Sequence, residues 1–307
     1  MNANHPNKFV RLACKAAAIS ACTLFCGVPH AQDIGASSKA AAEDFRDIGF
    51  SYFLGLGGQT ASYHEYSSSQ PVRSKATTTS PLIVNGALYA VNHDLLFSLG
   101  NETTFAPGST TETWTATSTT LDGHVLTDPT VQRNGFNLTQ NTSQLLGYYR
   151  VTGNWFAVGG PSLHTQTFKR YSFVPGVDDA VAVPTDRTIE ESTNEIVANL
   201  GVALDSARVH GESMHYGLRA VLGLPVWSRT NNTEYPGVNF KSQSGYDLSL
   251  EGRLSWAIFN DIHAGLWGQW MTSERHRSDI DSTSGTLELP ENRLTSLSYG
   301  IELLWKL

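Results

Sequence analysis

The sequence predicts an all-β fold: a transmembrane, antiparallel, up-and-down β-barrel of about ten strands. Three observations predict it. Long stretches alternate apolar and polar residues with period two. The connections between those stretches alternate short and long. The composition is poor in charge, 16% where a soluble domain has about 25%, and carries 27 Gly among its 307 residues. A net charge of -7 argues against nucleic acid as a partner. Beyond residue 31 no apolar run approaches the ~18 residues of a membrane helix, which excludes a helical bundle.

The elements follow in chain order. Residues 1–31 read as a cleaved export signal. Lys8, Arg11 and Lys15 precede an apolar stretch from Ala16 to Val28, and Pro29-His30-Ala31 ends it. Cys14, Cys22 and Cys26 all lie in this segment, so the exported chain has no cysteine to pair. Residues 32–46 form a short periplasmic lead-in with a brief helix around Lys39–Phe45. Residues 47–307 form the barrel.

The first strand puts Ile48, Phe50, Tyr52, Leu54 and Leu56 on one face. Leu82–Val91, Leu95–Phe105, Gln144–Val151 and Trp155–Phe173 are strands with less distinct faces, the last bent at Gly159-Gly160-Pro161. Ile196, Ala198, Leu200, Val202 and Leu204 line up next, then Tyr216, Leu218, Ala220, Leu222 and Leu224. Tyr246–Ile258 alternates over thirteen residues. That is long for a soluble strand, typically about 5–6, and suits a tilted membrane strand of about 9–11. Ile262, Ala264, Leu266 and Trp270 follow. The last strand places Leu297, Tyr299, Ile301, Leu303, Trp305 and Leu307 on one face, and only Leu304 breaks its polar side.

Short turns fall at 92–94, 152–154, 208–211 and 260–261. Long connections fall at 66–80, 106–137, 174–187, 229–241 and 277–291. Trp155, Trp256 and Trp305 sit at the short-turn side, and Tyr171, Phe173, Trp227, Tyr246 and Trp270 at the long-loop side. Two such belts are the aromatic girdles of a membrane barrel.

With these features the chain resembles the bacterial outer-membrane β-barrel proteins of Gram-negative cells. The resemblance covers residues 47–307 in organisation. Its most specific piece is Ser298-Tyr299-Gly300-Ile301-Glu302-Leu303-Leu304-Trp305, similar to the C-terminal assembly signal of that class. In that reading Ser298, Gly300, Leu303 and Trp305 carry the signal. The chain departs from it by continuing to Lys306-Leu307, where many members end on an aromatic residue. The resemblance implies an outer-membrane location, insertion by the barrel-assembly machinery, and contact with outer-membrane lipid and lipopolysaccharide.

Glu195, Asp205, Arg219, Asp247, Glu251, Arg253, Gln269 and Glu302 fall on the lumen-facing phase. Eight strands are nearly filled by side chains and sixteen leave a channel, so about ten leave little room. The charged set is then either an ion-paired filling or the lining of a narrow pore for small solutes. Ten is also the strand number of the omptin surface proteases, which hold two Asp and an Asp–His pair over the outer mouth. Here Asp279-Ile280-Asp281 lies in a loop and faces no Asp-x-His. Ser162 and His164 share one strand face, as a nucleophile and base would. His93, His210, His215 and His263 gather at the short-turn end without metal-site spacing. The expectation is a non-enzymatic protein with no cofactor or metal, and no nucleic-acid partner. Its function lies in binding or envelope shielding by the outer loops, above all the Thr-rich stretch 106–137, with a surface hydrolase as a further alternative.

Overall fold

The computed structural model describes residues 49–67, 71–121, 123–176, 187–206, 213–241, 244–259, 261–282 and 285–306. The export signal, the lead-in with its helix, Ile48, most of the connection at 174–187, the turn at 208–211 with His210, and Leu307 lie outside the described residues. The strands are β1 (Phe50–Ser67), β2 (Val72–Ala90), β3 (Leu95–Thr104), β4 (Thr110–Ala116), β5 (Thr120–Leu121), β6 (His124–Val125), β7 (Thr130–Thr152) and β8 (Trp155–Pro175). There follow β9 (Ile189–Asp205), β10 (Met214–Asn232), β11 (Asn239–Lys241), β12 (Gly245–Phe259), β13 (Ile262–Arg275), β14 (Ser278–Ser282), β15 (Gly285–Leu289) and β16 (Glu291–Lys306).

Ten of them close a ring in the order β1, β2, β3, β7, β8, β9, β10, β12, β13, β16, all neighbours antiparallel. The seam pairs β1 with β16 from Ser51↔Lys306 to Tyr66↔Glu291. Closure leaves no unpaired edge facing lipid, which hydrocarbon requires.

The strands are far longer than the bilayer needs, and their polarity inverts along the way. On β1 the outward residues Tyr52, Leu54 and Leu56 are exposed apolar groups. Farther out the same phase carries Thr60, Ser62 and His64, while Ala61 and Tyr63 turn inward and are buried. On β7 Phe136 and Leu138 are likewise buried inside, and on β8 so is Phe168. On these strands the inner half therefore meets lipid and the outer half meets water. The eight residues from Leu56 to His64 lift β1 about 20 Å above the apolar band, at ~3.3 Å per residue and ~40° of tilt.

Several expectations are corrected by these extensions. The connection expected at 66–80 is short, because β1 runs to Ser67 and β2 starts at Val72. Most of 106–137 is sheet: after a detour over 105–109, β4 continues the short β3 upward between β2 and β7. The remaining loop, 117–129, holds the two-residue β5–β6 pair. The connection at 277–291 is a β14–β15 hairpin. Phe173 is not a girdle residue. Ser172 adopts φ 53° at a register shift on β8, and Phe173 turns inward to 2% exposure. Trp155, Trp227, Trp256 and Trp270 are exposed on the lipid face, Tyr246 is half-buried, and Trp305 stacks on Tyr52 with centroids 5.8 Å apart.

The lumen also holds more apolar matter than alternation suggested. Phe53, Leu82, Val84 and Trp267 form one inner cluster, and Leu304 packs against it, which explains its break in the pattern. Trp267 needs room: a Cβ on Gly55 would stand 2.9 Å from its Nε1. On the seam, a Cβ on Gly300 would come within 2.2 Å of the Leu56 carbonyl oxygen. Gly300 is thus required by backbone approach, whatever its role in assembly.

Candidate functional site

Charged residues fill the barrel in three tiers. The inner tier centres on Glu251. Arg219 donates to it and, at 2.9 Å, to the Tyr148 hydroxyl. Arg253 donates to Glu251 at 2.6 Å and to Glu302 at 2.8 Å, with its guanidinium 4.5 Å from the Phe53 ring centre. Just above, Glu102 accepts from Ser298 at 3.2 Å, and Gln269, with its amide nitrogen turned to the carboxylate, donates to it at 2.8 Å.

The middle tier centres on Arg275. It grips Glu195 with two bonds of 2.7 and 2.5 Å and approaches Asp247 at 2.8 Å. The other oxygen of Asp247 lies 3.4 Å from Nδ1 of His164. Nε2 of His164 is 2.9 Å from Oγ of Ser162, which also accepts from the Asn199 amide at 2.9 Å. This is a Ser–His–Asp order inside the lumen. Ser162 and His164 share a face of β8; the third member comes from β12, three strands round the ring.

The outer tier stands above the lipid band and centres on Arg170. Its Nε and Nη2 donate to Glu112 at 2.7 and 3.0 Å, and Nη2 reaches Glu65 at 2.5 Å. Asn134 donates to Glu112 at 2.9 Å and accepts from the Trp114 indole at 3.0 Å. Tyr63 donates to Glu65 at 2.9 Å. The Arg170 guanidinium lies 4.5 Å from the Phe168 ring centre and 5.0 Å from that of Trp114. Burial pushes the Glu112 carboxyl up, but Arg170 and Asn134 together outweigh it and hold Glu112 below the usual carboxylate range.

The lumen-phase residues thus lie where they meet each other. Glu251, Arg253, Arg219 and Glu302 form one tier, and Glu195 joins Asp247 in the next. Asp205, on the inward phase, sits half-buried at the inner end. His215 and His263 stack there with ring centres 4.2 Å apart, while His93 bonds Asp94 at the turn. The outer tier was missed. Glu65, Glu112 and Arg170 lie in stretches where apolar residues face inward, so the period-two signal had the opposite sign. The inward phase of Tyr63 with Glu65 and of Phe168 with Arg170 was the available clue.

Between the tiers the free space is small. A cavity of about 40 Å³ lies beside Glu102, Gln269, Ser162 and His164, and one of about 30 Å³ beside Glu195 and Arg275. Each has room for a few waters, at ~10–15 Å³ per water. Above the Arg170 tier the barrel widens into a cup of about 460 Å³, in the range of ligand pockets. Among the described residues its lining includes Trp114, Phe173, Glu191, Tyr235, Phe240 and Glu288. Glu191 is buried, and Asn232 donates to it at 2.9 Å. It lies five residues outward of Ile196, the last lipid-facing apolar group of β9, and so stands clear of the bilayer. Burial, then the Glu65 charge, raise its pKa to about 7.

No protein-family model and no curated protein matches the chain. Among solved structures it is similar to outer membrane protease OmpT from Escherichia coli. The TM-score is 0.60 at 10% identity, over 86% of this chain and 98% of that one. It also matches Neisserial surface protein A, with TM-score 0.29 at 14% identity over 83% and 97% of the two chains. OprG from Pseudomonas aeruginosa matches with TM-score 0.30 at 11% identity, over 85% and 97%. The first likeness shows a shared fold at an identity too low to carry a site across. Ring closure, lipid band, girdles and that likeness agree: the chain is a ten-stranded β-barrel of the bacterial outer-membrane class.

Proposed function

We propose that this protein is a non-enzymatic surface receptor of the outer membrane: a closed barrel that holds a ligand cup above the bilayer. One observation carries the reading. Luminal cavities of about 40 and 30 Å³ leave little room for a solute, whereas the cup of about 460 Å³ has room for a small organic molecule. The segment 106–137, singled out for binding, supplies Trp114, Val131 and Gln132 to the cup wall. Lipopolysaccharide around the barrel, and the assembly machinery reading Ser298, Gly300, Leu303 and Trp305, complete the proposal. The test is ion conductance of the refolded protein in a planar bilayer. The receptor reading expects inserted but silent barrels. Steady single-channel steps would replace it with the narrow-channel reading and make Arg219, Glu251 and Arg253 the pore lining.

A second reading, a serine-type hydrolase, is favoured by the Ser162–His164–Asp247 order. Against it, Asp247 is already engaged by Arg275, and the neighbouring cavity of about 40 Å³ leaves no room for a scissile bond. Covalent labelling with a fluorophosphonate decides: labelling lost in Ser162→Ala would support the hydrolase, and an unlabelled folded barrel would remove it.

A further inference from the structure

We propose that the cup binds an organic cation: a primary ammonium or guanidinium group on an apolar body, with Glu191 as its carboxylate partner. The inference rests on the reading of the cup as the ligand site.

The argument begins with charge. The cup floor brings Glu65, Glu112 and Glu191 together around one cation, Arg170, and all four are less than one-tenth exposed. Arg170 is committed: its Nε and Nη2 serve the two carboxylates of Glu112 and Glu65. Glu191 receives only the neutral Asn232 amide among the bonds described. The other cation on the wall is engaged too, Arg277 with Asp279 at 2.8 Å and Glu288 at 3.6 Å, and Arg187, outside the lining, pairs with the wall's Glu234 at 3.2 Å. A carboxylate this buried without a cation is costly, so the floor favours whatever positive group reaches it.

The lining gives the second half of the ligand. Trp114, Phe173, Tyr235 and Phe240 offer apolar surface and ring faces. The Trp114 ring already takes one guanidinium, that of Arg170 at 5.0 Å. An anionic ligand would meet a floor with carboxylates in excess. A small inorganic cation would leave the aromatic wall unused.

The test uses the full refolded chain in zwitterionic nanodiscs and three probes of one shape: phenethylamine, 2-phenylethanol and phenylpropionate, followed by calorimetry at pH 8. The expected result is at least tenfold tighter binding of the amine than of the alcohol, with the carboxylate weakest. Glu191→Gln should weaken the amine at least tenfold and leave the alcohol unchanged. Alcohol or carboxylate binding as tight as the amine would overturn the cation inference while leaving the cup reading in place. If none of the three binds, both fall. The probe comparison on the unmodified chain decides the question even if the variant does not fold.

Discussion

At the scale of single residues, Arg170 is the most consequential group outside the bilayer. It pairs with Glu65 and Glu112 together, in a site where both carboxylates are less than one-tenth exposed. Arg170→Ala leaves both buried without a cation, and the expected loss is about 3–5 kcal/mol. Urea unfolding of the refolded barrel measures it. Arg170→Lys should recover only part, since an ammonium lacks the fork that spans both carboxylates. Glu191 predicts a pH dependence. Its pKa of about 7 lies above that of an unfolded carboxyl, so the native state binds the extra proton. Its contribution is fully present below about pH 4.5 and is lost as pH rises through about 7. Glu65 on β1, Glu112 on β4 and Arg170 on β8 face it, with Asn232 on β10. Glu191→Gln should flatten that stretch of the stability–pH profile. An equal slope in both proteins would assign the titration elsewhere.

At the scale of elements, β4 does two jobs. It closes the wall between β2 and β7 above the short β3, and it delivers Glu112 and Trp114 to the outer tier. Removing residues 118–127, which lie beyond β4, takes Leu121 and Leu126 from the cluster with Val72, Ala116, Trp114 and Val131, and should lower stability and amine binding only in part, because the wall stays closed. Extending the deletion to 110–131 should abolish binding and lower stability, because it opens the wall. Equal behaviour of the two deletions would count against β4 as a wall strand. On β16, Gly300→Ala places a methyl 2.2 Å from the Leu56 carbonyl oxygen. The seam must shift, at a cost of about 1–3 kcal/mol. Spontaneous refolding into vesicles, where no assembly machinery is present, should already show the defect. Normal refolding there would assign Gly300 to recognition by that machinery alone.

At the scale of the whole molecule, the interior sign is negative. Glu65, Glu102, Glu112, Glu191, Glu195, Asp247, Glu251 and Glu302 face Arg170, Arg219, Arg253 and Arg275 among the described residues. The excess is of carboxylates in each of the three tiers. Should any variant or applied voltage open the lumen, its current must favour cations. The reversal potential under a potassium chloride gradient reads the sign, and anion selectivity would contradict the charge arrangement.

The sequence by itself determined the class of fold, the lipid face and the inner girdle. Each is a local pattern: Leu248, Leu250 and Leu254 mark lipid because hydrocarbon outside forces every second residue to be apolar. Above the membrane that force disappears. Water then lies outside and packing inside, so the same strands continue with reversed sign and read as loops. The lengths of β1, β2 and β7, the strand β4, and the inward turn of Phe173 were hidden for this reason. The tertiary structure alone decided which charges meet. Arg170 joins Glu112 and Glu65 across 58 and 105 residues, and Arg275 joins Glu195 across 80. Those distances in sequence are closed only by the register of the ring, which no local pattern encodes.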